Sequence, residues 1–124
     1  MVVEDSPLLN KLLVDALTRA GYERIVHTAN GQEAYDIIMG YCENGTLKDN
    51  LKCIITDIEM PQMDGHRLTN LLKKDDRTKD VPIVIFSSLV NDEMRKKGEA
   101  IGADAQLSKP EIANLVQIID GLVK

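Results

Sequence analysis

Glu4-Asp5, Asp57, Ser87-Ser88 and Ser108-Lys109 are the points of this chain where residue types could combine to do chemistry. Each stands directly after an apolar run. Carboxylates crowded together raise one another's pKa, so three acids at one place call for a cation. They are hard oxygen ligands of the kind Mg²⁺ prefers, and Mg²⁺ keeps open positions for water or phosphate oxygens. Lys109 offers a point charge and Ser87 a hydrogen-bond donor, which is what an incoming phosphoryl group requires. Asp57 could then be the nucleophile, with the metal and Lys109 neutralising charge in the transition state. The bland alternative is that the acids cap helices and Lys109 pairs with one of them.

These residues act together only if the intervening elements bring them to one edge. Met1-Val2-Val3 reads as a first strand cut short at the chain start, as in a domain taken from a longer chain. Ser6 can cap the helix that follows, with Pro7 at its first position, and Leu8, Leu9, Leu12, Leu13, Ala16, Leu17 and Ala20 recur at helical spacing up to Gly21. Residues 23–29 read as a strand, and Asn30-Gly31 opens a helix with Ala34, Ile37 and Ile38 inward. The polar composition from Cys42 to Lys52 predicts a long loop.

Cys53-Ile54-Ile55-Thr56 is too continuously apolar for a half-exposed strand and suits a central parallel one. A turn through Asp64-Gly65 leads to a helix burying Leu68, Leu71 and Leu72, and residues 81–86 form another buried strand. A charged, exposed helix spans Asn91 to Ile101, Ala105-Gln106-Leu107 is a short strand, and a helix from Glu111 to Val123 closes the chain. Five strands alternating with five helices predict a doubly wound parallel α/β sheet with helices on both faces, one domain over residues 1–124. In such sheets ligands collect outside the carboxyl ends of the strands, where all the residues named above fall.

Composition narrows the function. With 15 Lys+Arg against 20 Asp+Glu and no basic block, the chain lacks the footprint that nucleic acid or an anionic membrane would need. Aromatics at 3% argue against base-stacking platforms. Apolar runs are too short for a membrane span, and Glu4-Asp5 stands where a leader would be apolar, so a cytoplasmic domain is expected. Cys42 and Cys53 form no metal-binding spacing and are read as small apolar thiols in a reducing compartment, one disulfide being the alternative. His27 and His66 match no paired-ligand spacing and are read as structural or solvated, while Met60 and Met63 fill loop packing. Arg95, Lys96 and Lys97 read as a solvated helix face, or as a surface for an acidic partner.

Val3-Glu4-Asp5-Ser6, Ile55-Thr56-Asp57-Ile58-Glu59-Met60-Pro61 with Met63-Asp64-Gly65, Val81 to Ser87, and Ser108-Lys109-Pro110 together resemble a response-regulator receiver domain over essentially the whole chain. The resemblance implies a CheY-like, flavodoxin-like fold with strand order 2-1-3-4-5. It implies that Asp57 accepts a phosphoryl group from a histidine kinase, a self-catalysed switch rather than an enzyme. Asp5, Asp57 and the Glu59 main-chain carbonyl would bind Mg²⁺, with Glu4 acting through water. Ser87, the Ser88 main-chain N–H and Lys109 would hold the phosphoryl oxygens, and Lys109-Pro110 would be a cis peptide. Residues 56–69 and 85–94 further resemble the C-terminal receiver of the CheV family of chemotaxis coupling proteins, in which a CheW-like domain comes first.

Gln106 departs from the family pattern, standing where many receivers carry a switch aromatic; Ser87 and Gln106 are therefore the expected switch pair, re-pairing hydrogen bonds instead of rotating a ring. A haloacid-dehalogenase-like phosphatase would want an Asp two residues after Asp57, where Glu59 stands. A flavodoxin-like FMN site would be repelled by Glu4-Asp5, and a degenerate docking module would not need the full acceptor set.

Overall fold

The structure, a computed structural model, describes residues 1–88, 91–109 and 111–123. Five parallel strands, β1 (Val2–Val3), β2 (His27–Thr28), β3 (Ile54–Thr56), β4 (Ile83–Ser87) and β5 (Ala105–Ser108), form one sheet in the order β2-β1-β3-β4-β5. Between and after them run α1 (Pro7–Arg19), α2 (Gly31–Glu43), α3 (Leu47–Asn50), α4 (Gly65–Lys74), α5 (Asp92–Ala100) and α6 (Ile112–Val123).

Successive strand residues point to opposite faces, so each strand feeds two cores. Val2, Ile55, Val84 and Phe86 pack with Leu13 and Leu17 of α1 and Leu115 and Ile119 of α6. Val3, Ile54 and Ile83 pack with Ala34 and Ile38 of α2 and Leu68 and Leu72 of α4. β3 and β4 are buried along their whole length, which is why their sequences are apolar without alternation. Polar caps start the helices close after the strands: Ser6 accepts from the Leu9 N–H at 3.4 Å, Asn30 from Glu33 at 2.7 Å and Asn91 from Met94 at 2.9 Å. None of the helices is long and apolar enough to cross a membrane, among the described residues.

Three expectations are corrected. The second strand is His27–Thr28 rather than residues 23–29, because its ladder partner β1 has only two residues. The expected loop before β3 contains the helix α3, making six helices among the described residues instead of five. Leu47 packs against the second core and Leu51 is 5% exposed, so an apolar pair four residues apart anchors one turn in a polar stretch. On α1 the buried stripe is Leu13 and Leu17, while Leu8 and Leu12 remain 72% and 47% exposed, centred roughly 140° round the helix from it.

Both cysteines are free, Cys42 half-buried and Cys53 buried. Burial pushes the Cys53 thiol up to about 11, leaving almost no thiolate at neutral pH. A thiol reagent at pH 8 is expected to leave Cys53 unmodified in the native protein and to label it once guanidinium is added, as read by peptide mass mapping. Equal labelling rates in the two conditions would contradict this packing.

Candidate functional site

The carboxyl ends of β1, β3, β4 and β5 deliver Glu4, Asp57, Ser87 and Lys109 to one edge. Glu4 extends the β1 ladder, its N–H donating to Thr28 O at 3.0 Å, and is 2% exposed. Its carboxylate accepts from Lys109 Nζ at 2.8 Å and from the Ser6 N–H at 3.1 Å. The His27 ring meets the Glu4 carbonyl at 2.8 Å, a structural role for that histidine.

Asp57 is held from both sides. Its N–H donates to Val3 O at 3.1 Å, Oδ1 accepts from the Ile58 N–H at 2.7 Å, and Oδ2 accepts from Lys109 Nζ at 3.1 Å. Lys109 is itself positioned by its N–H, which donates to Ser87 O at 3.2 Å. One ammonium therefore serves two buried carboxylates. Burial raises the Glu4 carboxyl above its ordinary range, opposed by Lys109 and Ser6. Burial also works to lower the Lys109 pKa, but its bonds to Glu4 and Asp57 outweigh that and raise it.

The third acid, Asp5, is exposed, and the carboxylate oxygens of Glu4, Asp5 and Asp57 all lie within 4.8 Å of one another. That donor set, three hard oxygens against a single ammonium, fits a small divalent cation. Beside it opens a cleft of about 640 Å³ lined by Asp5, Glu59, Met60, Asp64, His66 and Lys97, so an incoming group has room. Glu59 faces this cleft with an exposed side chain, two residues after Asp57.

Ser87 is buried at the end of β4, paired in register with Ser108, and Ser88 is exposed. The Ser108 hydroxyl turns away to donate to Glu111 Oε1 at 2.9 Å. Gln106 does not join the acids: its amide donates to the Arg95 carbonyl of α5 at 2.9 Å. The expected cis peptide involves Pro110, which lies outside the described residues.

The motif reading included Met63 and Gly65 but not the contacts by which they hold the Asp57 loop, and it left out Gly31. The Gly65 N–H donates to Ile58 O at 2.9 Å, and the Gly31 N–H donates to Met63 O at 3.1 Å. Between them Gln62 takes a left-handed φ of 67°, which few residues without glycine's freedom adopt. A methyl group on Gly31 would lie 2.3 Å from Met63 O. The glycine after Asp64 was the visible signal, but its partner, the backbone of Asp57, is not a sequence neighbour.

A doubly wound parallel sheet in this strand order, with acids at its carboxyl edge, defines a CheY-like, flavodoxin-type domain. Residues 1–120 match the response regulator receiver domain, and the chain belongs to that family. It is 34% identical over 98% of its length to a gliding motility regulatory protein of Myxococcus xanthus, of which it spans 15%. It is 28% identical over 71% of its length to the chemotaxis protein CheY homolog of Campylobacter jejuni, of which it covers 62%. The solved structure of Vibrio cholerae chemotaxis protein CheY4 superposes with a TM-score of 0.81 at 26% identity, covering 98% of this chain and 94% of that one. Domains of this family are phosphoacceptor switches that interact with histidine kinases.

Proposed function

We propose that this chain is the phosphoacceptor of a two-component pathway, phosphorylated on Asp57 by a histidine kinase in a Mg²⁺-dependent reaction. The observation that carries the reading is the Asp57 carboxylate, bonded to Lys109 at 3.1 Å and within 4.8 Å of the Glu4 and Asp5 oxygens. The Asp57 carboxylate attacks phosphorus, a P–O bond forms, and the bond from phosphorus to the donor's nitrogen or oxygen breaks with its electron pair on the donor. Glu4, Asp5, Asp57 and the Glu59 carbonyl would hold Mg²⁺, which when bound neutralises phosphoryl oxygens. Lys109 stays charged throughout, because two carboxylates raise its pKa, and it pairs with the phosphoryl oxygens as they arrive. Ser87 and the Ser88 N–H stand at the end of β4, where they can donate to the remaining oxygens.

Mass spectrometry after incubation with a small acyl phosphate and Mg²⁺ tests this directly, with one labile phosphoryl group on Asp57 expected. A chain that stays unlabelled, or is labelled elsewhere, sinks the reading. Asp5→Ala is expected to weaken Mg²⁺ binding about tenfold: a lost carboxylate removes attraction for the ion, partly offset by relief of repulsion among the acids. Amide shifts of Asp5 and Asp57 on titrating the metal measure it, and a titration that moves neither places the ion elsewhere.

The finer reading is a receiver in chemotaxis of the CheV kind, following a CheW-like domain. The wording of residues 56–69 and 85–94 supports it, as does the similarity to chemotaxis CheY proteins. Transfer from a phosphorylated chemotaxis kinase should outpace transfer from an unrelated histidine kinase. Equal rates would remove the chemotaxis assignment and leave the phosphoacceptor.

A further inference from the structure

Arg95, Lys96 and Lys97 follow one another on α5, but a helix turns about 100° per residue and sends them to different places. Arg95 turns toward β5, where its Nη1 lies 3.5 Å from Gln106 O. Lys96 is exposed and is not among the residues that line the cleft beside Asp57. Lys97 stands three residues after Met94, hence on the same face of the helix, and lines that cleft with it.

The charge around the cleft is one-sided. Asp5, Glu59 and Asp64 line it, and Lys97 is the only lysine or arginine to do so among the described residues. Lys97 is exposed, and its ammonium enters no ion pair among the described residues. His66, buried at the same cleft, feels both signs: burial first and then the Lys97 ammonium lower its imidazole pKa, while Asp64 works to raise it. The Lys97 charge is therefore felt within the cleft. A phosphoryl donor is an anion and has to pass these carboxylates to reach Asp57. Like charges slow such an approach, and a cation beside the path offsets them.

We infer that Lys97 guides small anionic phospho-donors, acyl phosphates in particular, into the cleft beside Asp57. Its ammonium is a compact point charge on a flexible stem, suited to drawing an anion in rather than to fixing it in one geometry. The attraction grows with the donor's charge, so Lys97 sets a preference for doubly charged acyl phosphates over singly charged phosphoramidate. The inference rests on the phosphoacceptor reading, since Lys97 guides donors only if Asp57 takes their phosphoryl group.

The test is the second-order rate at which the whole chain is labelled at pH 7 with Mg²⁺, read by intact mass, with acetyl phosphate and with phosphoramidate. Lys97→Glu is expected to slow acetyl phosphate about fivefold at 50 mM salt and less than about twofold at 0.5 M, where the charge is screened. Phosphoramidate should lose only about twofold at the lower salt. Lys97→Arg keeps the charge and should label at the parent's rate. Lys96→Glu makes the same change in net charge on another face and should lose less than about twofold. A further measurement needs no donor: the His66 ring, titrated by NMR, should ionise at higher pH in Lys97→Glu, because an ammonium that lowers its pKa has become a carboxylate. Equal slowing with both donors, a loss that salt does not relieve, a Lys96→Glu loss as large as that of Lys97→Glu, or an unmoved His66 midpoint overturns the inference. A parent chain that takes no label removes the phosphoacceptor reading and this inference with it. A labelled parent whose rates Lys97→Glu leaves unchanged removes this inference alone.

Discussion

Asp57→Asn is expected to lose labelling by a phospho-donor by more than about a thousandfold while the domain stays folded. The amide has nearly the size of the carboxylate but no charge with which to attack phosphorus. Its oxygen can still accept from the Ile58 N–H, a bond that is 2.7 Å long in the parent. Lys109 loses one partner yet keeps Glu4 at 2.8 Å, so the ammonium is not left buried and unpaired. Removing one of three neighbouring acids also relieves repulsion. These terms oppose one another, and thermal stability should change by only about 1 kcal/mol. Intact-mass measurement with donor and Mg²⁺ reads the labelling. If the Asn variant were labelled to full stoichiometry at another residue, Asp57 would not be the acceptor.

Gly65→Ala should be the most damaging small substitution in the chain. A Cβ there would lie 1.9 Å from Asp57 O, 2.9 Å from its carbonyl carbon and 3.2 Å from Ile58 Cα. All three are backbone atoms, so no side chain can swing aside. The shift would break the Gly65 N–H bond to Ile58 O, now 2.9 Å, and strain the Thr69 hydroxyl bond to Gly65 O at 2.7 Å. A loss of about 3 kcal/mol is expected, roughly 10–15 °C in the melting temperature, with labelling of Asp57 slowed because its loop moves. Gly40→Ala is the control: nothing lies within 4 Å of a Cβ there, and an alanine inside α2 should add up to about 1 kcal/mol. Circular-dichroism melts of the two variants make the comparison. A Gly65→Ala protein that melts with the parent would mean that the loop does not approach its own α4 this closely.

Local causes left legible signals at most elements, with α3 the exception. Ser6 was legible as the cap of α1 and Asn30 as the opening of α2, since the side chain and the N–H it accepts from are three residues apart; Asn91, read as the first residue of its helix, is instead the cap of α5. Ile54–Thr56 and Ile83–Ser87 announced central strands because burial on both faces demands unbroken apolar runs. The turn of α3 was hidden by polar neighbours, although Leu47 and Leu51 have the spacing of one helical turn. His66 looked solvated or merely structural; the structure leaves it 3% exposed, beside a cleft that Met94 and Lys97 of α5 also line.

Which residue types follow each strand can be read along the chain, and with it that three acids, a lysine and a serine would meet at the carboxyl edge of a parallel sheet. That much follows from alternation, since every βαβ unit returns the chain to the same edge. How the charge is shared there follows from the packing of the folded chain. Lys109 comes from the far edge strand and reaches past β4 to bond Glu4 and Asp57, while Asp5 stays in solvent beside the cleft. The same packing turned the Gln106 amide toward Arg95 rather than toward the acids. These outcomes depend on distances between residues as far apart in sequence as Glu4 and Lys109. Such distances are set by strand order, register and helix docking, none of which a local pattern carries.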